Sequence, residues 1–253
     1  MHRGLLFLLL ILATAVSPHH APAADDLPSA KSILNRVDDL YRGESSRGRM
    51  TMEIVTEHWT RTLELTFWAK GKDRSLIRIL APRKEKGTAT LRVGNDIWNY
   101  LPKVNRVIKL PSSMMSASWM GSHFTNDDLV KESRFTEDYT FEITFEGRRD
   151  GREVVDITCV PKPGAAVVWG KVVVTVRGVD YLPLQSVYFD EDMAPARTMT
   201  FGGIKELGGR MLPSRLTVQP EDEPDERTVV TYQAIDFNVD LEDSFFSLRT
   251  LTR

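Results

Sequence analysis

The sequence predicts a mainly β protein with a few helices, built on a single antiparallel sheet that curls. Apolar and polar residues alternate with period two along about a dozen short stretches, at the spacing of a sandwich or barrel. The turns between them are too short for helical crossovers, so neighbouring strands run antiparallel. One face of the resulting sheet collects Met, Leu, Ile, Phe and aromatic rings, and only two substantial helical patterns are available to cover it. Strands twist, and a large open sheet does not stay flat. Such a sheet curves strongly, and its concavity is either packed shut or left as a cavity.

Taken in order, the elements begin with a leader. "MHRGLLFLLLILATAVSPHHAPAA" has a basic start at Arg3, an apolar run from Leu5 to Val16 and an A-x-A-like site at Ala21-Pro22-Ala23. This is the form of a secretory signal peptide over residues 1–24, cut near Ala23 or Ala24, and too short to read as a membrane span. The expectation is an exported, periplasmic chain with one domain over residues 25–253. A helix follows, with Ala30, Ile33, Leu34, Val37, Leu40 and Tyr41 on one face, Pro28 in its first turn and Gly43 as its stop. Strands then read at "RGRMTMEIV", "RTLELTFWAKG", "SLIRIL", "GTATLRV", "DIWNYL" and "RVIKL". After an interruption they resume at "YTFEITFEG", "REVVDITCV", "GKVVVTVRG", "LPLQSVYFD", "ARTMTFGGI", "RMLPSRLTV" and "RTVVTYQAI". Turn signals such as Gly94-Asn95-Asp96 and Arg149-Asp150-Gly151 separate them.

Charge and chemistry narrow the function classes. With 33 Lys+Arg against 35 Asp+Glu, the formal charge is −2, which gives no electrostatic case for nucleic acid. The only cysteine, Cys159, excludes an internal disulfide and reads as a small buried hydrophobe in a strand. Beyond the leader, His58 and His123 are far apart, without ligands at metal spacing, so no metal and no cofactor are expected. No serine lies in a G-x-S-x-G elbow, and no catalytic constellation emerges. The acidic run "PEDEPDE", Pro220 to Glu226, reads as a solvated hairpin loop.

The interruption carries the most information. "WNYLPKVNRVIKLPSSMMSASWMGSHFTNDDLV" resembles the outer membrane lipoprotein-sorting protein family, relatives of the carriers LolA and LolB. There a "YLP" strand end leads to a basic strand, a Ser/Met-rich stretch and a "GSDFSYEDL"-like motif. Tyr100-Leu101-Pro102, Arg106, Gly121-Ser122, Phe124, Asp128 and Leu129 match, as do the later "YLPLQSVYFD", "GGRMLPSRL" and "LEDSFFSLRTL". His123 departs from the pattern, standing where that family usually has an acid, and Thr125-Asn126 replace a Ser-Tyr pair. The resemblance implies an unclosed β-barrel with helices lying in its concavity as a lid, holding acyl chains between sheet and lid.

Residue by residue, Leu63, Leu65 and Phe67 alternate against a polar face and are expected on the concave side. Trp98 and Tyr100 alternate with Ile97 and Leu101, and parity alone leaves open which pair faces the cavity; Trp98 and Tyr100 are taken as candidates. In the Ser/Met-rich stretch the candidates are Met114, Met115, Trp119, Met120 and Phe124. Met115 and Trp119, like Met120 and Phe124, are four apart and suit helical turns, with Gly121 as a hinge between two short pieces. Thr125 and Asp128 form a capping-box variant that opens a helix through about Glu132. Methionine's flexible thioether suits a surface that adapts to acyl chains. The function expected is a carrier or chaperone that binds lipid or lipoprotein acyl chains non-covalently and moves them toward the outer membrane. An envelope transporter and an outer-membrane acceptor are its candidate partners, and the alternative is an envelope sensor or protein-binding regulatory module on the same fold.

Overall fold

The computed structural model describes residues 28–131 and 135–253, so the leader and its cleavage site lie outside the described residues. Helix α1 (Ala30–Asp39) starts at Ser29, whose Oγ accepts a hydrogen bond from the Ser32 N–H at 3.2 Å. Ile33 and Leu34 are its buried stripe. It stops as expected at Gly43, which takes φ +58° and donates its N–H to the Asp39 carbonyl at 3.1 Å.

The strands follow the alternation. They are β1 (Ser45–Val55), β2 (Thr60–Lys70), β3 (Arg74–Ala81), β4 (Ala89–Val93), β5 (Asp96–Leu101), β6 (Arg106–Lys109) and β7 (Tyr139–Arg149). After these come β8 (Arg152–Pro161), β9 (Lys171–Arg177), β10 (Pro183–Phe189), β11 (Pro195–Leu207), β12 (Arg210–Pro220) and β13 (Arg227–Phe237). Three further short helices complete the described residues: α2 (Asn126–Lys131), α3 (Phe135–Asp138) and α4 (Leu248–Leu251).

All 13 strands belong to one antiparallel sheet in the order β6-β5-β4-β3-β2-β1-β13-β12-β11-β10-β9-β8-β7. The first and last strands therefore pair in its middle, while β6 and β7 form its two edges and do not meet. The sheet is not closed into a barrel.

Its inner face is a continuous apolar surface. Leu63, Met52 and Val230 stand opposite one another across β2, β1 and β13, and so do Leu65, Met50 and Tyr232. Gly48 is the gap in this wall. The Phe67 ring lies over it and meets the Tyr232 ring edge-on at 5.8 Å, while Tyr41 stacks on Tyr232 from the α1 side at 4.8 Å.

The outer face departs from simple alternation at β2 to β5. Trp68, Leu76, Leu91 and Trp98 form a cross-strand row on the side opposite Phe67 and Ile77. That row is covered by the C-terminal segment, in which Phe246 and Leu251 are buried. Arg78 donates to the Thr250 and Leu251 carbonyls at 2.6 and 3.3 Å, satisfying the end of α4. Lys70 donates to the Leu241 carbonyl at 2.7 Å and pairs with Asp243 at 2.8 Å. Both faces of β4 are thus covered, which is why its residues are nearly all buried. No helix among the described residues is long and apolar enough to cross a membrane.

A methyl group at Gly48 would lie 2.3 Å from the Ala234 carbonyl oxygen and 2.6 Å from the Phe67 ring. Gly48→Ala is expected to lose about 2–3 kcal/mol, the upper range for overpacking a tight core. The shift of the urea unfolding midpoint at constant m-value measures it.

Candidate binding site

The segment from Leu110 to Asp138 joins the two sheet edges, and its residues up to Leu129 lie over the inner face. We call it the strap. It opens with a 3₁₀ turn at Ser112–Met114 and then forms a miniature hairpin in which Ser118 and Thr125 pair antiparallel. The Trp119 N–H donates to the Phe124 carbonyl at 2.7 Å, and the Ser122 N–H to the Trp119 carbonyl at 3.0 Å. Met120 at φ 53° and Gly121 at φ 68° occupy the two central positions, the left-handed pair of a type I′ turn.

This corrects the helical reading of the stretch before Asn126. Met115 and Trp119 share no helix, and Gly121 is the second corner of a tight turn rather than a joint between helices. The cause is the buried Asn126. Its side-chain amide donates to the Met114 and Ala117 carbonyls at 3.0 and 3.1 Å, and its own N–H to Ala117 at 3.0 Å. Those carbonyls are therefore bonded from outside. Beyond the turn the expectation holds: Thr125 N–H donates to Asp128 Oδ2 at 2.7 Å and Asp128 N–H to Thr125 Oγ1 at 3.2 Å, a reciprocal cap that opens α2. The expected end near Glu132 lies outside the described residues.

Four contacts fasten the strap to the sheet. The Trp119 indole N–H donates to Thr90 Oγ1 on β4 at 3.1 Å, and Thr90 is in turn linked to Asn99 at 2.7 Å. Arg61 on β2 donates to the Met120 carbonyl and pairs with Glu85 at 3.4 Å. His123 lies against β13: its N–H donates to Thr228 Oγ1 at 3.0 Å, its Nδ1 is 2.9 Å from the same oxygen, and its Nε2 is 3.0 Å from Glu226 Oε2.

The fourth contact is a forked ion pair. Arg197 on β11 forks onto Asp128, Nη1 to Oδ2 at 2.7 Å and Nη2 to Oδ1 at 2.6 Å, and Nη1 also donates to the His123 carbonyl at 3.1 Å. Its guanidinium is flanked by the Trp169 and Tyr188 rings, with centroids at 4.4 and 4.3 Å. Burial works against this charge, but Asp128 outweighs it and holds Arg197 above the ordinary arginine range. Arg197 has the same strand parity as Met199 and Phe201, so an arginine on the apolar side of β11 was the signal for an inward ion pair. No comparable signal marked Asn126, Thr90 or Thr228.

Beneath the strap lies a cavity of about 200 Å³. Its wall draws on Phe67, Ile77 and Arg92 at one side and on Val174, Tyr188 and Met199 at the other, so β4 through β9 curve around it. Trp119, Phe124 and Leu129 of the strap roof it, and Leu34, Val37 and Tyr41 enter from α1. Ser46, Ser75 and Arg92 lie on one cross-strand row with Ala69 and make one end polar.

The candidates separate accordingly. Phe67, Trp119 and Phe124 line the cavity; Leu63 and Leu65 are fully buried in the core beside it; Met120 packs on that core. Met115 is half-buried and Met114 is 44% exposed, so neither reaches the cavity. Trp98 and Tyr100 are corrected to the outer face, where they pack with the C-terminal segment, and Ile97 takes the buried inner position. Cys159 is fully buried, and burial, then the nearby Asp38 charge, pushes its thiol up to about 12, which makes it a core residue.

A family model described as "uncharacterized protein"-like matches residues 71–253. The chain belongs to that family. Among solved structures it is similar to a LolA superfamily protein from Nitrosomonas europaea, at 21% identity and TM-score 0.75 over 88% of this chain and 99% of that one. It is also similar to an outer membrane lipoprotein-sorting protein domain, so described, from Vibrio parahaemolyticus, at 22% identity and TM-score 0.74 over 87% and 97%. A DUF1329 family protein from Desulfovibrio piger aligns at 24% identity and TM-score 0.77 over 87% and 96%. The resemblance read from the strap motif therefore holds in fold: the chain has the open LolA-like sheet. No curated protein matches the chain.

Asp128→Ala leaves Arg197 as a buried, uncompensated charge and is expected to cost about 3–5 kcal/mol, whereas the double change Asp128→Leu with Arg197→Met restores most of it; urea unfolding of the two single variants and the pair decides. Glu226 gives a pH prediction. The Glu57 N–H, which donates to it at 2.8 Å, and then His123 hold its carboxyl below the ordinary range. A carboxyl lowered in the folded state stabilises above its unfolded pKa of about 4.3 and stops doing so as pH falls through the lowered value. The stability gap between wild type and Glu226→Gln should therefore be widest at neutral pH and close on acidification, in unfolding curves taken across that range.

Proposed function

We propose that this chain is an exported carrier, with residues 25–253 as its functional unit, that binds acyl chains of a lipid or lipoprotein non-covalently and ferries them through the periplasm toward the outer membrane. The observation that carries this reading is a cavity roofed by Trp119, Phe124 and Leu129 of the strap, with Asp127 and Asp128 beside them. At about 200 Å³ it is smaller than the roughly 300–1,000 Å³ typical of occupied ligand sites. A chain enters by exchanging contacts with Trp119, Phe124 and Leu129 for its own, and each buried methylene contributes about 0.8 kcal/mol. Because the strap's contacts are given up on loading, binding stays reversible. The similarity to a LolA superfamily protein and to an outer membrane lipoprotein-sorting domain supports the same reading, as does the form of the leader.

Trp169 refines the ligand. Its indole N–H is buried at the cavity wall and has no acceptor among the described residues. A buried donor without a partner costs about 1–3 kcal/mol, which a ligand oxygen relieves. The cargo is thus an acyl group with its ester or amide carbonyl near Trp169, rather than a bare hydrocarbon. We read the site as binding rather than catalytic.

A protein partner is favoured by one separate observation. The edge strand β7 is 11 residues long, unpaired on one side, and exposes Ile143 and Phe145, a template for strand addition. A transporter or acceptor docking there fits a carrier as well as it fits a sensor.

Protein taken from the periplasm is expected to carry lipid in native mass spectrometry, and the purified chain to displace a fluorescent fatty-acid probe. Trp169→Phe, which keeps an aromatic ring but removes the N–H, should weaken an acyl ester about 5-fold more than it weakens a plain alkane probe. Absence of both co-purified lipid and probe displacement rejects the carrier. A stoichiometric protein complex unaffected by Trp119→Ser would then establish the sensor instead.

A further inference from the structure

The β12–β13 loop carries Glu221, Asp222, Glu223, Asp225 and Glu226 within seven residues, and the turn of the strap presses an imidazole into it. His123, Glu223 and Glu226 each place one ligand-type atom so that all three lie within 4.8 Å of one another. His123 and Glu226 are not surface groups; their side chains are 12% and 17% exposed. We propose that these three side chains form a site for one divalent transition metal of the Zn²⁺ class, bridging the strap to the sheet.

The geometry around the imidazole is that of a ligand held from behind. Thr228 Oγ1 accepts the His123 backbone N–H and lies 2.9 Å from Nδ1, where it either accepts from Nδ1–H or donates to the ring nitrogen. In the Nδ1–H tautomer the Nε2 lone pair faces the Glu226 carboxylate, 3.0 Å away, and a cation between them bonds both. Glu223 stands beside Glu226, so a dication held among the three side chains faces both carboxylates at once. A dication with one neutral imidazole and two carboxylates balances the charge. Tetrahedral zinc with bonds of ~2.1 Å separates its N and O ligands by about 3.4 Å, so the Nε2–Oε2 gap needs only a small opening.

Glu226 Oε1 is occupied by the Glu57 N–H at 2.8 Å, which fixes the carboxylate and leaves Oε2 for the metal. With Thr228 on Nδ1, both of these ligands have an outer partner, the arrangement that orients metal ligands. Mixed imidazole and carboxylate donors select zinc, nickel or copper over magnesium and calcium. The fourth position is open to water or to a group on a partner. A bound ion clamps the Met120–Gly121 turn to β13, and the site stands whether or not the cavity beneath holds lipid.

The test uses the untagged full-length chain with His2, His19 and His20 replaced by Gln, stripped with EDTA. Titration calorimetry with Zn²⁺ and the visible absorption of Co²⁺ should show one equivalent bound with tetrahedral character. His123→Gln should abolish that signal, and Glu223→Gln, at an exposed position that leaves the fold intact, should weaken it at least tenfold. Zn²⁺ should raise the unfolding temperature of the parent but not of Glu223→Gln. The proposal is overturned if no equivalent binds, or if Glu223→Gln binds as tightly as the parent. It is equally overturned if Ca²⁺ binds as well as Zn²⁺ and independently of His123, which would mean a diffuse acidic loop.

Discussion

One connection governs this molecule. Every strand except β6 is followed by a strand that lies beside it, so the strap alone must carry the chain from one edge of the sheet to the other. Because the sheet curls, the way between those edges runs over its inner face. The strap thereby covers the apolar surface that would otherwise face water, and it also keeps the barrel open, since β6 and β7 never meet. Roof, cavity and open seam are consequences of the same crossing.

Held this way, the strap is fastened mainly by polar contacts around an apolar middle. Thr90, Arg61, Thr228 with Glu226, and Arg197 grip it at four points, while Trp119, Phe124 and Leu129 fill the space between. The grips fix where the strap lies. Phe124 and Leu129 could be replaced by any hydrocarbon of similar bulk at little cost, because burial is not directional, whereas the Trp119 indole also makes the Thr90 grip. A roof specified by hydrogen bonds and filled by interchangeable grease can let a ligand take over the filling without losing its register.

Much of this was legible in the chain. Period-two alternation marked each strand, and the Thr125–Asp128 spacing marked the start of α2. The strap before Asn126 was misread because pairs four apart are as natural to a two-sided hairpin as to a helix. What decided between them was Asn126, one amide bonding two carbonyls across nine and twelve positions, and no local pattern reports such a contact. Trp98 and Tyr100 were assigned inward because both parities of β5 are apolar; only the C-terminal segment, distant in sequence, gives the outer side its cover. Arg197 could have been found from parity. His123 looked isolated because its partners come from the far end of the chain.

The seam between β1 and β13 has a consequence for how the molecule is made. Those strands share a ladder of ten residue pairs across the middle of the sheet, yet they are the first and last of the described strands. A chain emerging from its amino end can assemble β1 to β6 and later β7 to β12 as local meanders, each step joining neighbours. Until β13 arrives, the two halves are tied only by the strap, and β1 presents an unpaired edge beside an uncovered apolar face. Contacts this distant are slow to form and leave the waiting intermediate prone to aggregation. The stage of greatest exposure thus falls just before β13 is added, which makes that strand the keystone of folding.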